Sequence, residues 1–221
     1  YRGDPDYRST TRDVRRLLGE LQKEKVDGVI VDLRNNSGGS LIEATDLTGL
    51  FIDSGPVVQL RYSNNTVEVN EDEDAGVAYD GPLAVLVDRF SASASEIFAG
   101  AIQDYKRGII IGEPTFGKGT VQRLLRLDKW ARGHKGLGQL KMTTAQFFRV
   151  NGESTQHRGV TPDIVFPTAI DSDKHGERGL ENAVPWSRTK PANYRAGRDI
   201  SDLVAGTRAE RDTVVVHLTV A

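Results

Sequence analysis

The chain has 221 residues, 38% apolar and 27% charged, with a formal net charge of −2. That is enough for one sizeable core or two small ones, and it leaves no basic excess to draw nucleic acid or an anionic membrane surface. The absence of cysteine excludes disulfides, a thiolate nucleophile and thiolate zinc sites. No run approaches the roughly 18 apolar residues of a membrane span, and no charged start followed by an apolar stretch resembles a secretion signal. Tyr1-Arg2-Gly3-Asp4 lacks an initiator methionine and reads as the start of a fragment.

Thr10-x-x-Asp13 has the form of a capping box, and Val14, Leu17, Leu18 and Leu21 follow at helical spacing, predicting an amphipathic helix that ends near Lys25. Val26 to Leu33 is a β-rich run that reads as a buried strand before the Asn35-Asn36-Ser37-Gly38-Gly39 loop. Leu41, Ala44, Leu47, Leu50 and Phe51 mark a second helix, stopped by Asp53-Ser54-Gly55-Pro56. Val57 to Tyr62 and Thr66 to Val69 suit a hairpin, and the acidic run Glu71 to Asp74 a solvated turn. Beyond Gly81-Pro82 the order repeats: a strand over Leu83 to Val87, a small polar turn over Ser91 to Ser95, and a helix face of Ile97, Phe98, Ala101, Ile102 and Tyr105 closed by Gly108. Ile109 to Ile111 is a further strand, the Gly112 to Gly119 loop follows, and Val121 to Leu127 and Leu140 to Val150 read as longer, more exposed strands. This alternation predicts an α/β fold, a parallel or mixed sheet with packed helices. From about Thr168 the chain turns polar, with strand character returning only over Asp212 to Val220. Residues 1–167 are therefore read as the core and 168–221 as an accessory segment.

Ser93, between Ala92 and Ala94, follows a buried strand and opens an apolar helix. A hydroxyl there stands in a tight turn beside free helix N–H groups and the positive end of the helix dipole, which favour a developing oxyanion. The same residue is also what a helix cap looks like, and Ser91 and Ser95 compete for either role. A serine nucleophile needs a base. His134, His157, His175 and His217 sit in polar loops, the tail or a late strand, none at a strand end where a triad assembles. Lys118, in Thr115-Phe116-Gly117-Lys118-Gly119-Thr120 after a run of isoleucines, is the better candidate, because desolvation favours the neutral amine; the alternative is a solvated loop lysine. Gly112 to Thr120 lacks the Gly-Lys-Ser/Thr adjacency of a phosphate-binding loop. Backbone N–H groups around Gly38 and Gly39 could act with that of Ala94 on an oxyanion, and Gln122 could orient the lysine amine, although paired glycines also serve turns and a strand glutamine can simply be exposed.

Three blocks, Val31-Asp32-Leu33-Arg34-Asn35-Asn36-Ser37-Gly38-Gly39, Ser91-Ala92-Ser93-Ala94-Ser95-Glu96-Ile97 and Gly112-Glu113-Pro114-Thr115-Phe116-Gly117-Lys118-Gly119, together resemble the carboxy-terminal processing, or tail-specific, proteases. The likeness covers roughly residues 10 to 167 and includes Phe147-Phe148-Arg149-Val150-Asn151-Gly152 and Gly159-Val160-Thr161-Pro162-Asp163-Ile164. In that family the nucleophile precedes the lysine by 25 residues, the separation of Ser93 and Lys118. The resemblance thus implies Ser93 as nucleophile, Lys118 as base, Gln122 as its orienting residue, Gly38, Gly39 and Ala94 around the oxyanion, and Glu96, Asp104 and Thr115 as supporting residues. It also implies a crotonase-like core, no metal or cofactor, protein or peptide substrates with accessible C-termini, an adaptor protein and a periplasmic location. Family members usually carry a PDZ domain ahead of this region, which this stretch lacks, so the expectation is a fragment that carries the catalytic residues without necessarily being active alone. The rival readings are a non-catalytic binding or scaffold module on the same fold and an assembly role for the polar tail.

Overall fold

The computed structural model describes residues 7–130, 133, 135–168, 170–171, 174–197, 200 and 204–206. The strand expected over Asp212 to Val220, and His134 and His217, lie outside them. Helix α1 (Thr10–Lys23) is capped by Ser9, whose side chain accepts the Arg12 N–H at 3.1 Å, so the cap sits one residue before the box read from sequence. Of its expected apolar face only Leu18 is buried; Leu17 and Leu21 are exposed. The start of α1 is tied to α2 (Leu41–Thr48) by the Glu43 carboxylate, which accepts from the Tyr7 and Ser9 hydroxyls and from both the N–H and the hydroxyl of Thr11.

The remaining elements are β1 (Val29–Asp32), β2 (Gly55–Tyr62), β3 (Val67–Asp72), β4 (Leu83–Val87), α3 (Ala94–Asp104), β5 (Ile109–Gly112), β6 (Thr120–Arg126), β7 (Gln139–Phe148) and β8 (Ile164–Val165). They sort into two four-stranded sheets. One is parallel, in the order β1-β4-β5-β8; the other is antiparallel, in the order β3-β2-β7-β6. Of the acidic run expected as a turn, Glu71 and Asp72 instead continue β3, with Glu71 paired to Pro56 and Asp72 to Gly55 beyond a register shift, while Glu73 and Asp74 follow the strand's end.

Helix α3 explains how the two sheets share one interior. Every residue from Ser95 to Ile102 is buried, as expected of a helix with neighbours on both sides. Phe98, Ala99 and Ile102 join the core formed with Val85, Val87 and Ile110 of the parallel sheet. Ile97, Ala101 and Tyr105 join Val57, Val58, Leu60 and Phe147 of the antiparallel sheet. Each large apolar side chain so buried contributes about 1.5–3 kcal/mol. Because β1, β4 and β5 run parallel, the loops leaving their carboxyl ends emerge along one edge of that sheet, where ligands bind in open α/β sheets. Those loops are the three blocks singled out in the sequence.

Candidate active site

Hydrogen bonds lock the three loops together. Ser91 Oγ donates to the Leu33 carbonyl at 2.7 Å, the Ala92 N–H to the Asn36 carbonyl at 3.0 Å, and Ser95 Oγ to the same carbonyl at 2.9 Å. The Asn35 N–H donates to Asp88 at 2.9 Å. On the other flank the Phe116 N–H donates to the Ser91 carbonyl at 3.0 Å, and Arg89 Nη1 to the Thr115 carbonyl at 2.6 Å. The three serines differ in setting: Ser91 and Ser95 are buried and bonded to the first loop, while Ser93 is half-buried.

Ser93 has φ 57° and ψ −112°, a backbone region that costs a non-glycine residue of order 1–3 kcal/mol and persists only where its surroundings impose it. What imposes it is Glu96. That side chain is fully buried, and its Oε2 accepts the N–H of Ser93 at 2.7 Å and of Lys118 at 3.0 Å. Its Oε1 accepts the Gly117 N–H at 2.7 Å and the Thr115 hydroxyl at 2.6 Å. Burial pushes the Glu96 pKa up to about 7, against the pull of these four donors toward the ionised form. One carboxylate oxygen therefore joins the backbone of Ser93 to that of Lys118. Thr115, also fully buried, passes the connection on by accepting the Val160 N–H at 2.7 Å.

Lys118 is half-buried. Its amine makes no ion pair or hydrogen bond among the described residues. Desolvation pulls its pKa below the ordinary lysine value; Lys141 acts in the same direction, Glu177 and Glu96 in the opposite one. A direct hydrogen bond between the Ser93 hydroxyl and the Lys118 amine is not formed in this structure. Gln122 lies exposed on β6, just past a register shift, and is not bonded to Lys118.

The glycine pair divides. The Gly38 N–H donates to Asn36 Oδ1 at 2.9 Å, whereas the N–H groups of Gly39 and of Ala94, the first residue of α3, make no hydrogen bond among the described residues. Gly38 has φ 96°, and a Cβ there would meet the Ala92 carbonyl oxygen at 2.5 Å and the Ala94 nitrogen at 2.8 Å. Gly38→Ala is therefore expected to push the first loop off the Ser93 turn, lowering kcat/KM at least tenfold with a smaller loss of melting temperature; an enzyme assay beside a thermal melt checks this.

Asp104 is not brought to the other residues. It ends α3, a helix length from Ser93, and pairs at 2.6 Å with Arg149 in a largely buried bridge that also takes the Asn151 amide at 3.0 Å. Two further contributors had no local sequence signal, Gln156 and Glu177, which flank the Lys118 loop. Glu96 did have one, because Ser93-x-x-Glu96 is itself a capping box. Among the described residues no group of three His, Asp or Glu side chains is placed to hold a metal ion. A cavity of about 1170 Å³ opens at the opposite end of the parallel strands, lined by Gly28, Leu83, Tyr105 and Ile109, away from the Ser93 turn.

Residues 5–166 match the family model described as peptidase family S41. The chain is 50% identical over 189 residues to the tail-specific protease of Haemophilus influenzae, covering 85% of this chain and 27% of that protein. It is 37% identical over 161 residues to the carboxy-terminal-processing protease of Bartonella bacilliformis, covering 72% of this chain and 35% of that one. Among solved structures it superimposes on the photosystem II D1 C-terminal processing protease with a TM-score of 0.63 and 32% identity, over 79% of this chain and 44% of that chain. The chain thus spans about a third or less of the length of these two curated relatives. It belongs to peptidase family S41, a family of serine-type peptidases.

Proposed function

We propose that this chain carries the peptide-cleaving centre of a serine endopeptidase that processes or degrades proteins near their C-termini. The observation that carries the reading is the Glu96 carboxylate, which holds the strained Ser93 turn and the half-buried Lys118 loop on one oxygen atom. Ser93 Oγ attacks the scissile carbonyl carbon, and its proton passes to the neutral Lys118 amine. As the carbon–nitrogen bond breaks, Lys118 returns that proton to the leaving amine. Water then enters, gives a proton to Lys118 and attacks the acyl carbon; as the ester bond breaks, Lys118 passes that proton to Ser93 Oγ, freeing the carboxylic acid and restoring the hydroxyl and the neutral amine. The oxyanion is met by the N–H groups of Ala94 and Gly39, each worth about 3 kcal/mol to the transition state; Gly38 serves them by close approach, since its own N–H is engaged. Gln122 is proposed to reach the amine only with substrate bound, since catalytic hydrogen bonds often tighten at that stage.

The sandwich of a parallel sheet, helices and an antiparallel sheet supports a crotonase-like core. By the same reading the whole protein acts in the periplasm, on chains whose C-termini an adaptor can present. The test is covalent: a fluorophosphonate probe applied to the full-length protein should label Ser93 and no other serine, as read by peptide mapping, and Ser93→Ala should remove both label and proteolysis. Proteolysis surviving in Ser93→Ala would end this reading.

A further inference from the structure

The polar segment after residue 167 is not peripheral to the candidate site. Glu177 opens a single 3-10 turn, Glu177–Gly179, and is 93% buried, with a relative exposure of 7%. Its N–H donates to the Phe116 carbonyl at 3.0 Å, two residues before Lys118. Its Oε1 accepts from Gln156 Nε2 at 3.1 Å, and Gln156, itself fully buried, accepts the Gly119 N–H at 2.7 Å through Oε1. Gly119 is so close to this group that a Cβ would meet Ser154 Oγ at 2.6 Å and the Gln156 nitrogen at 2.8 Å. The neighbouring Arg178 donates through Nε and Nη2 to the His157 carbonyl, and the His157 N–H donates to the Gly117 carbonyl at 2.8 Å. Thr155 Oγ1 closes the bracket on the Lys118 carbonyl at 3.2 Å. The loop bearing the amine is thus gripped from both sides, and one side is a carboxylate from outside the segment that matches the family model.

We propose that Glu177 is a positioning residue for Lys118: it locks the Phe116–Gly119 loop against residues 154–157 and places a carboxylate beside that loop. The inference rests on the Ser93/Lys118 reading above. Among the described residues, the charged groups that act on the amine are Glu177 from the C-terminal segment, Lys141 from β7 and Glu96 from α3. His157 meets the loop through its backbone. Desolvation alone carries the amine downward, and a base driven too far down is too weak to draw a proton from serine; the best base titrates near the working pH. Glu177 opposes that fall, being the largest of the charge effects on Lys118.

The sign of the effect is testable because Glu177→Gln keeps the N–H bond to Phe116 and an oxygen for Gln156, removing only the charge. In the full-length protein the acid limb of the kcat/KM profile should move to lower pH by about one unit, with a plateau kcat reduced several-fold by the weaker base. Lys141→Met removes a like charge and should move the limb the other way. A second readout is independent of turnover: competitive acylation of the Lys118 amine across pH, followed by mass spectrometry in a Ser93→Ala background, should show the same downward displacement for Glu177→Gln. An amine midpoint that stays put or rises in Glu177→Gln overturns the role given to Glu177. Retained proteolysis in Lys118→Met would instead overturn the Ser93/Lys118 reading, and the acylation midpoint would still judge Glu177 by itself.

Discussion

Lys118→Met is expected to lower kcat by about 10³-fold while KM stays within a few-fold of the parent value. Methionine has nearly the length of the lysine stem and suits a half-buried site, so the loop held by Glu96, Gln156 and Glu177 through backbone atoms keeps its anchors. What disappears is the group proposed to take the serine proton. Lys118→Arg should be equally inactive despite keeping the charge, because a guanidinium cannot become neutral in a protein. The parent enzyme should lose activity as pH falls through the lowered pKa of Lys118, since protonation removes the base. Histidine-directed reagents should leave turnover unchanged. A steady-state assay of the three proteins across pH separates a missing base, which lowers kcat alone, from a distorted cleft, which raises KM too.

Glu96→Gln is the second large effect, and it falls on the fold as well as on catalysis. The carboxylate accepts four hydrogen bonds, two on each oxygen, from Ser93, Lys118, Gly117 and Thr115. A glutamine of the same shape offers one oxygen and one NH2 group, so it sets donor against donor at two of those contacts. A buried donor left unsatisfied costs about 1–3 kcal/mol, and two of them take a large part of the 5–15 kcal/mol by which a domain is stable. The strained φ of Ser93 relaxes once its N–H is released, and the Lys118 backbone drifts from it. The expected result is an unfolding free energy, read from urea titration, lowered by roughly 2–6 kcal/mol, with kcat down at least 10²-fold in the fraction that remains folded. Glu96→Asp, which keeps four acceptor positions on a shorter arm, should recover part of the stability and little of the rate.

Much of the architecture could be read from residue patterns because local rules and the tertiary fold agreed. The run Leu83 to Val87 reads as a strand with the ends the structure gives it, and the face of α3 is visible in Ile97, Phe98, Ala101, Ile102 and Tyr105. Elsewhere a neighbour decided. The strand read from Val26 begins only at Val29, because the Val26 N–H turns back to the Leu21 carbonyl at the end of α1 and Gly28 packs tightly on Pro82. The strand Ile164–Val165 is two residues long and exists by pairing with Ile111 and Gly112, which no local pattern announces. The division into two sheets is likewise a property of pairing, invisible in any single strand.

The candidate site shows the same split. Ser93 and Lys118 could be nominated one at a time from strand-to-helix turns and glycine-flanked loops, and parallel strands explain why both arrive at one sheet edge. The contact that joins them is a buried carboxylate whose partners in the Lys118 loop lie 19 to 22 residues along the chain, and the residues bracketing the lysine, Gln156 and Glu177, lie still farther away. Gly38 illustrates the limit of a motif: paired glycines suggested two oxyanion donors, yet the Gly38 N–H is taken by Asn36 and its lack of a side chain is what the turn requires.

The claim beneath all of this is that the Lys118 amine is neutral under working conditions because water is partly excluded from it. Its titration can be followed directly by 15N NMR of the side-chain nitrogen, with lysine selectively labelled and Lys118 assigned by its loss in Lys118→Met. The account predicts a midpoint clearly below that of the exposed lysines, falling further in Glu177→Gln. A midpoint among or above the exposed lysines would contradict it.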